Sequence, residues 1–163
     1  MKLYLAGPDV FRTDAREWAA AARALCQLFG HDALVPLDSD AHDAAGIYTA
    51  NIAMIRAADA VLANLAEFRG AEPDSGTAFE VGFAIALGKP VIGYLPTNEP
   101  LADRITRHCG PLTQDDGGLL DGSGLRVEQF GLPLNLMLAV PARIVVGDLS
   151  VALGALPRQP AGG

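Results

Sequence analysis

The sequence predicts an α/β protein of the flavodoxin-like class, a doubly wound five-stranded parallel sheet in the order 2-1-3-4-5, folded as a single domain over residues 1–156. Three observations carry this expectation. Short apolar runs alternate along the chain with helical patterns. The runs are continuously apolar rather than alternating, as strands covered on both faces require. Gly, Pro and Asp gather directly after them, at the edge where such sheets bind ligands.

Taken in order, LYLAG (3–7) is a strand ending in a Gly-Pro turn. Residues 14–29 place Trp18, Ala22, Leu25 and Phe29 on one helical stripe, with Thr13 as the expected N-cap. ALVPL (33–37) is a second strand, and 48–58 is a helix carrying Ile52 and Ile55. AVLANL (60–65) is a third strand, 76–87 a helix stopped by Gly88, and PVIGYL (90–95) a fourth strand. Residues 98–130 are rich in Gly and Asp and read as irregular, with a helix near 100–108. A short helix at 133–139 leads to the strand RIVVG (143–147) and a last helix at 148–155, and residues 157–163 are expected to be a disordered tail.

Half of the 163 residues are hydrophobic but only 6% are aromatic, so the core is built from Ala, Val, Leu and Ile. Twelve basic against nineteen acidic residues give a net charge of −7. Ten of the twelve cations are Arg, scattered singly without a basic stripe. That balance argues against nucleic acid or an anionic membrane as a partner. Neither a signal peptide nor a bilayer-spanning run is visible, so the chain reads as soluble and cytoplasmic. Cys26 and Cys109 form no metal pair and read as reduced, mostly buried thiols. The three histidines lack metal-site spacing and read as loop residues.

The strand order makes a selection among the loops. It picks Gly7-Pro8-Asp9, Asp38-Ser39-Asp40, the loop 66–76 and the segment from Pro96 as walls of a crevice. The first of these lacks GxGxxG, Pro8 removes a donor and Asp9 repels phosphate, which argues against a dinucleotide. Asp74 precedes a helix start and reads either as a capping acid or as a site residue. Glu80 lies about one turn inside that helix beside Phe79, Val81 and Phe83. A carboxylate in so apolar a setting costs several kcal/mol unless it is paired or given a role. Tyr4, on the first strand, is placed to hydrogen-bond it. Asp59 at a helix–strand junction is uninformative alone, and Arg69 reads as a surface charge or a partner for Glu72 or Asp74. Asn135, alone in the apolar run 125–140, is either locally satisfied or enters a site, its own or a neighbouring subunit's.

These residues together resemble the nucleoside 2-deoxyribosyltransferase family. The matching blocks run from Tyr4 to Phe11, Pro36-Leu-Asp38, Asp59-Ala-Val-Leu, Phe68 to Gly82 and Phe130 to Met137, in family order. The resemblance implies transfer of 2-deoxyribose between nucleobases without metal or cofactor, from 2′-deoxynucleosides to free purine or pyrimidine bases. It places Glu80 as nucleophile, Tyr4 as the residue orienting it, Asp74 and Asn135 around the sugar hydroxyls, and Asp59 near the leaving base. It implies a homo-oligomer, with Asn135 entering a neighbour's site. Asp40 stands where some members carry Gln, which ties it to base preference. Gly7, Asp9, Phe11, Asp38, Arg69 and Met137 complete the expected binding set, with Phe11, Phe79 and Met137 excluding water and stacking the base. A deoxynucleoside 5′-monophosphate N-glycosidase and a non-catalytic nucleotide-binding protein are the alternatives.

Overall fold

The first strand, β1 (Lys2–Ala6), is buried on both faces. Leu3 and Leu5 join one core cluster, while Tyr4 and Ala6 join the other. The computed structural model of the chain describes residues 1–157. After β1 come α1 (Ala15–Leu28), β2 (Asp32–Leu34), α2 (Ala44–Ala57), β3 (Ala60–Asn64), α3 (Ser75–Ala86) and β4 (Val91–Leu95). There follow α4 (Leu101–Cys109), β5 (Thr113–Asp115), β6 (Gly118–Leu120), α5 (Leu136–Ala139), β7 (Arg143–Val146) and α6 (Leu149–Gly154).

The main sheet is all parallel in the order β2-β1-β3-β4-β7, which is the expected 2-1-3-4-5 winding with β7 as its fifth strand. The same alternation recurs in β3, where Ala60 and Leu62 face one core and Val61 and Ala63 the other. One core lies under α1 and α6, the other under α2, α3 and α5. Tyr4 therefore points toward the α2/α3 side, and this decides where its hydroxyl arrives. Among the described residues no helix is long and apolar enough to cross a membrane.

Several local expectations change. In α1 the position before the helix is Asp14, not Thr13. Its side chain caps nothing and pairs with Arg12 instead. The buried stripe is Ala19, Ala22 and Cys26, small residues that let the helix approach the sheet, and Phe29 is left exposed. Pro36 ends the second strand early, because it cannot donate to a ladder, and residues Pro36–Asp38 form one 3-10 turn. Helix α2 begins four residues before the expected start, where the Asp43 carboxylate accepts from the Gly46 N–H.

The segment read as irregular holds α4 and the antiparallel hairpin β5–β6, turned at Asp116-Gly117. Its strands are short, β5 polar and exposed and β6 a half-buried Gly-Leu-Leu. Arg126, which pairs with Asp115 and donates to the Gly118 carbonyl, holds them together. Cys26 is buried, its thiol pushed up to about 11 by burial, whereas Cys109 is exposed, against expectation; both are free. Of the expected tail, residues 158–163 lie outside the described residues.

Candidate active site

At the carboxyl edge of the sheet the chain leaves a cleft of about 670 Å³, within the range that encloses a small ligand. Its walls come from the turn after β1, the first face of α1, the turn after β2, α2 and the start of α3. Gly7 opens it by necessity. A side chain there would meet the Asn64 Cβ at 2.8 Å, so only glycine lets the two strand ends close up.

Glu80 lies on the cleft wall, one turn inside α3, with Asp74 at the helix start. Oε1 of Glu80 accepts from the Tyr4 hydroxyl at 2.5 Å and, at a long 3.5 Å, from Asn51 Nδ2. Both protein donors take the same oxygen, so Oε2 stays free to face the cleft. Burial pushes the Glu80 carboxyl up to about 7. The Tyr4 hydrogen bond pulls against that rise, the nearby Asp74 charge adds to it, and the Asn51 amide lowers it slightly. Tyr4 is fully buried, and its hydroxyl is held far above the usual phenol range, first by burial and then by the Glu80 charge. It remains a donor at any working pH. The group raised in this cleft is thus the expected nucleophile itself.

Asp74 is the N-cap of α3. Its Oδ2 accepts from the Thr77 N–H at 2.8 Å and the Thr77 hydroxyl at 3.0 Å. Oδ1 is left for a ligand, so the capping and the site readings hold together in one side chain. Asp74→Ala should therefore lose about 1 kcal/mol in urea unfolding, while Asp74→Asn, which keeps an acceptor for Thr77, should unfold close to wild type.

Phe11 lines the cleft and stacks on Phe68 at 5.4 Å. Arg69 adopts a left-handed backbone (φ 55°) and lies over both rings, 4.6 Å from the Phe68 centroid and 5.5 Å from that of Phe11. Its partner is this aromatic pair rather than Glu72 or Asp74. Asp9 sits beside Gly7 with its carboxylate held by Asn64 Nδ2 at 2.8 Å. The loop 66–74 is pinned from behind by Glu67. That carboxylate is bound by Arg107 and His108 and lies 3.1 Å from the buried Arg104, and it is held down at about 2, chiefly by Arg107.

Other expected site residues fall elsewhere. Asp59 stands before β3, at the opposite edge of the sheet, where its carboxylate accepts from the Lys2 N–H. A parallel strand separates its two ends by its full length, so Asp59 cannot reach a base beside Glu80. Asp38 is committed to the Val35 N–H and Arg23. Asp40 is exposed and lies outside the cleft wall, which Ser39, Ala41 and His42 form instead. Phe79 is half-exposed, stacked on Phe83 and tilted against Tyr48. Asn135 caps α5 and donates to Glu128 Oε1 at 2.7 Å, and Met137 is 72% exposed; neither lines the cleft of its own chain. Pro96 belongs to a separate surface hollow with Glu67 and Glu99.

The residues the sequence reading missed are Asn51, Asn64, Arg16, Arg23 and His42. Asn51 had a signal. Ile47, Asn51 and Ile55 recur every four residues on α2, so the amide stands on an otherwise apolar stripe that runs from the cleft to the core.

Comparison with known proteins identifies the family. The family model described as nucleoside 2-deoxyribosyltransferase matches residues 3–137. Among solved structures, the chain is similar to a 2-deoxyribosyltransferase from Leishmania mexicana, with 41% identity over 84% of each chain and a TM-score of 0.70. It is also similar to a 2-deoxyribosyltransferase from the psychrotolerant Bacillus psychrosaccharolyticus, with 25% identity, 66% of this chain and 82% of that one covered, and a TM-score of 0.50. No curated protein sequence matches the chain. A flavodoxin-like sheet with a tyrosine-pinned glutamate at its carboxyl edge, matched along most of its length, makes this chain an enzyme of the nucleoside 2-deoxyribosyltransferase family.

Proposed function

We propose that the enzyme moves 2-deoxyribose from a 2′-deoxynucleoside to a free purine or pyrimidine base through a covalent ester on Glu80, as a step of nucleoside salvage. The observation that carries this reading is the arrangement of one carboxylate. Oε1 is tied to Tyr4 and Oε2 is free on the wall of a cleft large enough for a nucleoside. Oε2 attacks C1′ as the C1′–N bond breaks, the bond pair leaving with the base. A sugar without a 2′-hydroxyl tolerates the positive charge that develops there. The second base attacks the ester from the face the first one left, so configuration at C1′ is retained. Over the cycle the departing base gains the proton that the incoming base gives up, and no net proton is needed. Asp74, tied to two donors at a helix start, is suited to accept from a sugar hydroxyl through Oδ1. Without an acceptor base, water takes the ester slowly.

The test is exchange between deoxyinosine and adenine followed by chromatography, with mass spectrometry of the enzyme under a slow donor. A deoxyribosyl adduct on the peptide containing Glu80 supports the reading. An adduct elsewhere overturns the residue assignment. Arg16 and Arg23 on the cleft wall favour a second reading, a deoxynucleoside 5′-monophosphate N-glycosidase. Arg23 is already neutralised by Asp38, however, and Asp74 and Glu80 put negative charge in the same cleft. Base release from dIMP against deoxyinosine, without acceptor, separates the two.

The same reading includes a homo-oligomer in which Asn135 serves a neighbour's site. Its support is an Asn that misses its own cleft, next to Met137 at 72% and Phe130 at 66% exposure, large apolar groups left on the surface. Glu80→Ala and Asn135→Ala are each expected to be nearly inactive alone. Mixed and allowed to exchange subunits, they should recover about a quarter of the wild-type rate, the share of intact composite sites in a random dimer mixture. No recovery on mixing would place Asn135 outside the neighbour's site.

A further inference from the structure

Asn51 is set apart from every other polar group on the cleft wall by an imbalance. Its side chain enters from α2, between the cleft-lining Ile47 and the buried Ile55, and reaches Glu80 across the α2–α3 contact. Its Nδ2 faces Glu80 Oε1, while its Oδ1 is buried and meets no donor of the protein. The orientation follows from chemistry. An ionised carboxylate only accepts, so the amide must turn its NH₂ toward Glu80, and that leaves the carbonyl facing the other way. A buried acceptor left without a donor costs about 1–3 kcal/mol. The cleft beside it is where a ligand's donor would arrive.

We propose that Asn51 is a positioning residue with two bonds to make. Nδ2 holds Glu80 Oε1 in place together with Tyr4, and Oδ1 accepts a hydrogen bond from a hydroxyl of the bound sugar. This deepens, and rests on, the reading of Glu80 as the nucleophile toward a deoxynucleoside. The identity of the donor follows from place. Oδ1 is one amide width from the group that faces the reacting carboxylate. The ring bonded at C1′ must lie there, and a 2-deoxyribose carries only its 3′- and 5′-hydroxyls as donors. The base, on the far side of C1′ from Glu80, is out of reach. If the donor is the 5′-hydroxyl, a 5′-phosphate has no proton to give this acceptor, and Asn51 then also discriminates for a free hydroxyl over an ester.

The test uses the full-length enzyme as wild type, Asn51→Leu and Asn51→Asp. Donors are deoxyinosine, 2′,3′-dideoxyinosine and 2′,5′-dideoxyinosine, with adenine as acceptor. Asn51→Leu should lower kcat/KM for deoxyinosine about 10- to 100-fold. The acid limb of its pH profile should move upward, because Glu80 has lost a donor. For one of the two dideoxy donors, the penalty that wild type shows on losing the hydroxyl should vanish in Asn51→Leu. Asn51→Asp keeps an acceptor but sets a like charge against Glu80, so it should move the acid limb furthest while keeping the discrimination among donors at high pH. If the limb stays put in both variants and all three donors lose the same factor, Asn51 is only structural and the proposal fails. A wild type that exchanges no deoxyribose would instead overturn the transferase reading. In that case ¹³C NMR titration of the Glu80 carboxyl in wild type and Asn51→Leu still decides the first bond, and identical titrations sink it.

Discussion

Glu80→Gln should remove deoxyribosyl exchange by about four orders of magnitude or more and should make the protein more stable at neutral pH. The first effect follows from the proposed mechanism, in which an amide oxygen cannot form the glycosyl ester, and loss of a nucleophile is among the largest single-residue effects in enzymes. The second follows from burial. Glu80 titrates at about 7 in the fold against an ordinary 4.5. Below about pH 4.5 it is protonated whether the chain is folded or not, and it costs nothing. As pH rises toward 7 the unfolded chain releases this proton and the folded one holds it, so stability falls. Above 7 the full cost of about 3 kcal/mol is present. Glutamine does not titrate and can still accept from Tyr4. Urea unfolding of the two proteins should therefore nearly coincide near pH 4 and diverge by up to that amount near pH 8, with the inactive variant the more stable. Equal stability at both pH values would mean that Glu80 is not desolvated as its surroundings require. The fold thus carries a stability cost at the position where the proposed mechanism needs an ionised carboxylate held out of water.

Tyr4→Phe should lower exchange at pH 7 about 10- to 100-fold, the value of a hydrogen bond to a charged group, with part of the loss recovered as pH is raised. The hydroxyl, 2.5 Å from Oε1, is the largest influence holding the Glu80 carboxyl down against burial. Without it the carboxyl moves higher, less of it is ionised at neutral pH, and the acid limb of the rate profile shifts upward. The direction is specific. A limb that stays in place, with a rate loss equal at every pH, would show that Tyr4 fixes only the rotamer of Glu80 and not its charge. Because Tyr4 is fully buried among apolar residues of the α2/α3 core, removing its oxygen leaves the ring packing intact.

Much of this site was legible in the residues, and for identifiable reasons. Glu80 stood out because a carboxylate between Phe79, Val81 and Phe83 conflicts with the apolar surface around it, and such conflicts are expected at functional positions. Asp74 stood out as an acid before a helix, and its two readings needed no choice, since one oxygen caps the helix and the other remains free. Asp59 shows the limit of motif matching. Its place in the chain resembles a family position, but it precedes β3 and so lies at the edge of the sheet away from Glu80. Asp38 and Asp40 failed for a related reason. The turn after β2 points Ser39 and His42 into the cleft and spends Asp38 on Arg23 and the Val35 N–H. The hairpin β5–β6 escaped because its strands are three residues long, β5 polar and exposed and β6 a half-buried Gly-Leu-Leu, too short to show any apolar alternation.

The sequence by itself determined the class of fold, the winding order of the sheet and the identity of the central carboxylate and its tyrosine. Continuous apolar strands admit only a sheet covered on both faces, and a pattern of that kind is local and survives without knowledge of contacts. Only the tertiary structure decided which oxygen of Glu80 is free, that Asn51 is its second donor, and that Asp59 lies at the wrong edge. It also decided that Arg69 rests on an aromatic pair rather than on an acid. Each of these depends on distances between residues far apart in the chain, 76 positions in the case of Tyr4 and Glu80. Side-chain charge and hydrogen bonding act over a few ångströms of space, and no spacing along one sequence encodes them.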